Sequence, residues 1–260
     1  DGTGAIGTNT KGVCINHASN VTGRVIDPAP IGRACRSVGA SLVVDAAQSA
    51  GHIPIDVQAM GIDALIFAGH KGLMGPSGTG GVVLSPGLEL RPLMVGGTGI
   101  RSELLDQPTD RPMLYEAGTP NLAGIAGLEA GVRHCLRIGV RRMGLQLDSL
   151  MGLLWDGLSA IDGVRLIGGR PEGRAPVQSL LIEGMASSDV GYILQESHGV
   201  VCRTGLHCAP LIHKPLGSSP DGTVRLSLGL SNTPDEINAM IAAVAEIASA
   251  VRAGAVSCVL

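Results

Sequence analysis

Aromatic residues are almost missing from this sequence: Phe67, Tyr115, Trp155 and Tyr192 are all it has. So sparse a set argues against a surface that stacks nucleobases. Positive charge is not in excess either, since 19 Lys and Arg stand against 22 Asp and Glu. A net charge of -3 leaves no basic footprint for nucleic acid. No apolar run approaches the roughly 20 residues needed to span a bilayer. No signal peptide is recognisable, so no membrane role is expected. The six cysteines (14, 35, 135, 202, 208 and 258) include no CxxC pair. In a chain of this size they do not suggest a disulfide scaffold, and a reducing, cytoplasmic setting is expected. An initiator Met is absent too. The chain opens at Asp1 in the polar, Gly-rich DGTGAIGTNTKG and is expected to be a fragment lacking its true N-terminus.

What is present points to a folded α/β protein. Hydrophobic residues make up 45% and charged ones 16%, a globular and not a disordered balance. VCIN (13–16), SLVVDA (41–46), ALIFAG (64–69) and GGVVLS (80–85) are near-continuous in Val, Ile and Leu, as parallel strands covered on both faces would be. PAPIGRACRSVG (28–39) predicts a crossover helix with Pro at its start and Gly39 closing it. Such a βαβ order places functional residues beyond the strand ends. Residues 86–118 are loop-like; helices are expected over about 119–138 and 140–160. Four further strands follow, near 164–168, 178–184, 200–205 and 223–229. The last helix should start with Thr233 as N-cap, Pro234 at its first position and Glu236 completing a capping box. The expected layout is a partial large domain with a mainly parallel sheet over 1–138, then a smaller α+β domain over 139–260.

Lysine is scarce: Lys11, Lys71 and Lys214 are the only three. Lys71 follows a buried-strand pattern in ALIFAGHKGLMGPSGTGG, where partial desolvation would favour the neutral amine that imine formation needs. Asp45 ends the other apolar strand, SLVVDAAQ, and a carboxylate buried there needs a cationic or hydrogen-bonding partner. A protonated pyridinium nitrogen would meet that need and keep the ring an electron sink. Taken singly, each residue reads as readily as a turn cap or a solvated side chain. Together, with Gln48 one turn past Asp45, they favour a cofactor site.

The segments NHASNVTG (16–23), VVDAAQSAGHIPIDVQ (43–58), FAGHKGLMGPSGTGGVVL (67–84), YEAGTPN (115–121) and RTGLHCAP (203–210) resemble, in order, the class V aminotransferase family. Within it they are most similar to cysteine desulfurases and selenocysteine lyases carrying an RTGxHC motif. The resemblance implies a pyridoxal 5'-phosphate (PLP) transferase fold of type I and a homodimer with shared active sites. It implies that Lys71 is the Schiff-base lysine and Asp45 the pyridinium partner. It further implies that Asn20 and Gln48 bond the cofactor's phenolic oxygen and nearby atoms, and that His70 contacts its phosphate. Thr119, in the GTPN turn opening a helix, resembles a phosphate ligand lent by the other subunit. A helix N-terminus with free N–H groups would suit that role. Two departures stand out. Ala68 replaces a frequent Ser, removing one hydroxyl contact to the phosphate. The family also carries an N-terminal stretch, with a Gly/Thr phosphate turn and a His or aromatic that stacks on the ring, which nothing before Asp1 supplies.

VVCRTGLHCAPLIHKPLG packs Cys202, Arg203, His207, Cys208 and His213 into twelve positions. A metal site would use Cys and His, but this spacing is not a standard zinc pattern. A structural reading makes Cys208 a small buried hydrophobe. A nucleophilic reading uses Arg203 and the histidines as cationic neighbours that favour a thiolate. In the resembled family the cysteine of RTGxHC takes sulfur from the substrate, giving an enzyme persulfide and alanine. Here that is Cys208, with the other five cysteines structural. Arg225 lies on an apolar strand where a structural salt bridge is as good an explanation as a bound substrate carboxylate. The resemblance favours the carboxylate, with Arg203 supporting.

The function this implies is abstraction of sulfur from L-cysteine, or selenium from selenocysteine, with a sulfur-acceptor protein as a possible further partner. Other class V activities, such as transamination, epimerisation or kynurenine-type cleavage, do not need Cys208. A non-catalytic remnant would fit the missing N-terminal stretch but not the intact Lys71, Asp45 and Cys208 set.

Overall fold

The computed structural model describes residues 3–97, 99–101, 103–170 and 173–255. Cys258 therefore lies outside the described residues. The chain divides into two compact units. The first holds the residues up to Ile15, Pro28–Asp45 and Asp56–Arg137; the second holds Asn16–Asp27, Ala46–Ile55 and the chain from Ile138 onward.

In the first unit, strands β1 (Gly12–Asn16), β2 (Ser41–Asp45), β3 (Ala64–Ala68) and β4 (Gly80–Leu84) form one sheet in that order. Helix α1 (Pro28–Val38) joins β1 to β2, beginning at the predicted proline. Strand β2 runs parallel to β3, with Asp45 beside Ile66. Strand β4 is antiparallel to β3, against the expectation of a fourth parallel strand. The reason is the connection: residues 69–79 contain no helix, and a parallel return needs a long crossover. Burial also falls short of the expectation. Leu42 and Val44 of β2 are fully buried, but Ile66 on β3 and Val82 on β4 are each nearly half exposed. The strands of this unit are not covered on both faces.

Helix α2 (Leu122–Ile138) closes this unit, starting three residues later than the sequence suggests. It packs against the turn after β3 through glycines. A Cβ on Gly131 would lie 2.3 Å from the Leu73 carbonyl oxygen, and one on Gly127 2.6 Å from Pro76. Cys135 Sγ donates to the Gly72 carbonyl at 3.5 Å across the same contact. Since Lys71 belongs to that turn, Gly131→Ala should cost about 1–3 kcal/mol by overpacking, measurable by urea denaturation. It should also shift the Lys71 backbone.

The second unit is an antiparallel sheet with helices packed on it. Its elements are α3 (Val140–Ser159), β5 (Val164–Ile167), β6 (Val177–Ile182), α4 (Ser187–His198), β7 (Arg203–Gly205), α5 (Pro210–His213), β8 (Thr223–Ser227) and α6 (Pro234–Arg252). The strand order is β5-β6-β8-β7. Leu150, Leu154 and Leu158 on α3 and Ile237, Met240 and Val244 on α6 recur at helical spacing and share one core with Leu180 of β6 and Val224 of β8. Each such side chain contributes roughly 1.5–3 kcal/mol by leaving water. Helix α6 begins as its sequence predicts: Thr233 accepts from Glu236 N, and the Glu236 side chain accepts from Thr233 N. Thr233→Ala should lower stability by about 1 kcal/mol in chemical denaturation, the usual worth of an N-cap.

Segments 16–27 and 46–55 belong to this second unit, although sequence order suggests the first. Ala175 N donates to the Gly23 carbonyl at 2.9 Å and Ser179 Oγ to the Val21 carbonyl at 2.6 Å. His17 Nδ1 and Ser49 Oγ, both buried, lie 2.7 Å apart and join the two segments.

Candidate active site

The first unit carries Asp45, His70, Lys71 and Thr119. Asp45 is the last residue of β2, and Lys71 lies in the turn just past β3. Because these strands are parallel, both residues leave the sheet at its carboxyl edge, where ligands of α/β sheets bind. The turn is closed by Met74 N donating to the Lys71 carbonyl and Gly75 N to the Gly69 carbonyl. Asp45, His70 and Lys71 are exposed, which corrects the expectation of a desolvated amine and a buried carboxylate. Each sits at or past the end of its strand. Thr119 is exposed in the turn before α2 and does not open the helix. Asn121 does, its Oδ1 accepting from Gly124 N at 3.0 Å, so that amide is already used.

The second unit brings together Asn20, Arg203, His207, Cys208 and Arg225. Strand β7 delivers Arg203, and the turn after it carries His207 and Cys208, which are consecutive left-handed residues with φ of 52° and 63°. Cys208 is exposed, and Arg203 Nη2 donates to its Sγ at 3.0 Å. Arg225, on β8, is the register partner of Arg203 on β7. Two cations directly opposite each other repel and call for an anion nearby. Burial, and then the Arg203 charge, lower the Arg225 pKa, while the Cys208 sulfur raises it. Its Nη1 donates to the Asn20 carbonyl at 3.1 Å, and its Nε is buried without a partner. Among the described residues no carboxylate pairs with Arg225, so the structural salt bridge is not found. Gln48 lies half-buried in the turn after Asp45.

One expectation changes here. Asn20 Nδ2 donates to the His207 carbonyl at 2.5 Å, which fixes the side chain beside this turn. His207 was expected to be a cation beside the thiol. It is 2% exposed, and its pKa is pushed down to about 4, by burial first and then by the charges of Arg225, His213 and Arg203. Arg203 and Arg225 supply positive charge to Cys208. Sequence reasoning missed Thr223, whose hydroxyl lies 2.8 Å from His207 Nε2, and Ser218, 2.8 Å from His213 Nδ1. Neither stands in a recognisable motif. Among the described residues no group of three or more His, Cys, Asp or Glu could hold a metal ion.

The remaining cysteines differ in kind. Burial raises the pKa values of Cys35, Cys135 and Cys202, holding them as thiols. Cys14 is exposed on β1.

The depressed His207 pKa sets a pH dependence. The folded ring stays neutral, so on acidification the unfolded chain takes up this proton first. Its contribution to stability is full above the ordinary value of 6.5 and is lost as pH falls through about 4. His17 and His52, also lowered by burial, act in the same direction. Urea midpoints should therefore drop between pH 7 and 4; a flat profile would contradict the buried neutral rings.

Comparison with known proteins places this arrangement. Residues 2–240 match the family model described as aminotransferase class-V. The chain belongs to that family. A probable cysteine desulfurase of Methanothermobacter thermautotrophicus is 40% identical over 249 residues, covering 94% of this chain and 62% of the relative. One from Xylella fastidiosa is 38% identical, covering 91% and 57%. Among solved structures, the apo cysteine desulfurase of Thermococcus onnurineus superimposes with a TM-score of 0.85 at 36% identity, covering 92% of this chain and 60% of that one. The Escherichia coli cysteine desulfurase CsdA, in its S-sulfonic acid form, gives 0.86 at 29% identity, with 95% and 61% covered. This class-V chain thus spans about three fifths of the length of the relatives it matches.

Proposed function

We propose that this chain is the PLP-holding and sulfur-accepting part of a cysteine desulfurase. The observation that carries the reading is the exposed Cys208 with an arginine N–H on its sulfur at 3.0 Å, opposite a second arginine that has no carboxylate partner among the described residues. The names of the relatives support the same reaction.

Asp45 and Lys71, exposed at one edge of adjacent parallel strands, fit a cofactor that needs an anion and an amine together. Lys71 would hold PLP through Nζ, Asp45 would pair with the ring nitrogen, and His70 would meet the phosphate. Gln48 and Asn20 would lie along the phenolic oxygen, Asn20 through whatever capacity His207 leaves it. When bound, PLP supplies an electron sink for bonds at the substrate's α-carbon. The chain's own residues do the rest. Arg225, supported by Arg203, binds the carboxylate of L-cysteine, and the Cys208 thiolate takes the substrate sulfur. The S–S bond of a Cys208 persulfide forms as the substrate's C–S bond breaks, and alanine leaves. A sulfur-acceptor protein would then discharge the persulfide. The free thiols at all five described cysteines support a reducing, cytoplasmic setting.

Lys71 tests the cofactor. The protein should be yellow, and borohydride should fix the cofactor's mass on the Lys71 peptide. A Lys71→Ala protein that still captures PLP covalently would sink the assignment. The active unit should be a homodimer in which Thr119 serves the partner's phosphate. Sedimentation showing a fully active monomer at assay concentration would contradict that.

A further inference from the structure

Resting on the desulfurase reading, we propose that Thr223 is a positioning residue for the Cys208 nucleophile, acting through the buried ring of His207. The starting observation is strain. His207 and Cys208 are both left-handed, a conformation that side-chain-bearing residues avoid, and it persists only where the surroundings enforce it.

Several contacts do the enforcing. His213 Nε2 lies 3.1 Å from the Leu206 carbonyl, which can only accept, so that nitrogen carries the proton. His213 Nδ1 lies 2.8 Å from Ser218 Oγ, which also reaches the His213 carbonyl at 3.4 Å. Asn20 Nδ2 holds the His207 carbonyl. These contacts grip the turn's backbone. The Thr223 hydroxyl, 2.8 Å from His207 Nε2, grips the His207 side chain, whose Nδ1 is buried without a partner.

Thr223 is well placed to act as an anchor. It is fully buried at the start of β8, paired in register with Gly205 at the end of β7. A Cβ on neighbouring Gly222 would strike Gly205 at about 2 Å, so the two strands meet too closely there for either to drift. Arg225 lies two residues further along the same strand. One strand therefore carries the proposed carboxylate clamp and, through His207, fixes the residue preceding the nucleophile. Without the hydroxyl, both ring nitrogens of His207 would be buried and unpaired. The ring would then move toward water, and Cys208, bonded to it in the strained turn, would leave Arg203.

The test reads the thiol directly, without cofactor or substrate. Iodoacetamide alkylation rates at pH 7 are followed by peptide mass mapping for Cys208 and for Cys14, the other exposed thiol among the described residues. In Thr223→Val, which keeps the shape and removes the hydroxyl, the Cys208-to-Cys14 rate ratio should fall about tenfold as the sulfur loses its cationic neighbour. Thr223→Ser should keep the ratio within about twofold, because the hydroxyl is retained. An unchanged ratio in folded Thr223→Val, with only a lower melting temperature, would make Thr223 a packing residue and overturn the proposal. If Thr223→Val does not fold, His207→Leu breaks the same tether while leaving an apolar side chain suited to burial. The same fall is expected there, and an unchanged ratio is equally fatal. Because the readout precedes any sulfur chemistry, it can fail while the desulfurase reading stands. A positive ratio result with no sulfur ever found on Cys208 would sink the desulfurase reading and leave the positioning intact.

Discussion

Cys208→Ala should abolish alanine and sulfide production from L-cysteine while leaving substrate binding in place. The loss should be about a thousandfold or more, the scale on which removing a nucleophile reduces turnover. Binding survives because the carboxylate clamp and the cofactor residues are untouched, and L-cysteine should still perturb the cofactor's absorbance. Among the described residues, burial holds Cys35, Cys135 and Cys202 as thiols, so none of these three is a ready substitute. Desulfurase activity near normal in Cys208→Ala would remove the proposed mechanism and leave only the cofactor assignment.

Arg225→Ala should fail in a different way. Its guanidinium has a buried Nε with no partner and no carboxylate among the described residues, so the account assigns it the substrate's carboxylate. Losing a charged hydrogen bond of about 1.5–3 kcal/mol should raise the apparent KM by about 10- to 100-fold. Turnover at saturation should fall less, unless the α-carbon is misplaced as well. Arg225→Lys should recover little, since a point charge cannot reproduce the planar fork. The opposite pattern, an unchanged KM with lost turnover, would move Arg225 from substrate binding to the support of Cys208.

The sequence made the local devices legible. Pro28 and Gly39 bound α1, Thr233 and Glu236 open α6, and the apolar runs coincide with strands because each is decided by neighbours a few residues away. The pairing of Cys208 with Arg203 is likewise local, five residues apart across a turn. What stayed hidden depends on distance. That Asn20 holds His207 across 187 positions, and Arg225 the Asn20 carbonyl across 205, leaves no periodic mark. Segments 16–27 and 46–55 fall in the second unit for the same reason. The neutral state of His207 was also illegible, since a histidine beside two arginines looks cationic until its burial is known. Strand β4 was misread because an apolar run carries no direction, and the helix-free connection after β3 sets it antiparallel.

The most direct test of the account is to find where the sulfur goes. After a single turnover with L-cysteine, the protein is alkylated, digested and mapped by mass. The account predicts one additional sulfur on the peptide carrying Cys208, released by reductant and absent from the Cys208→Ala protein. Sulfur on Cys202 or any other cysteine, with Cys208 unmodified, would show that the nucleophile lies elsewhere.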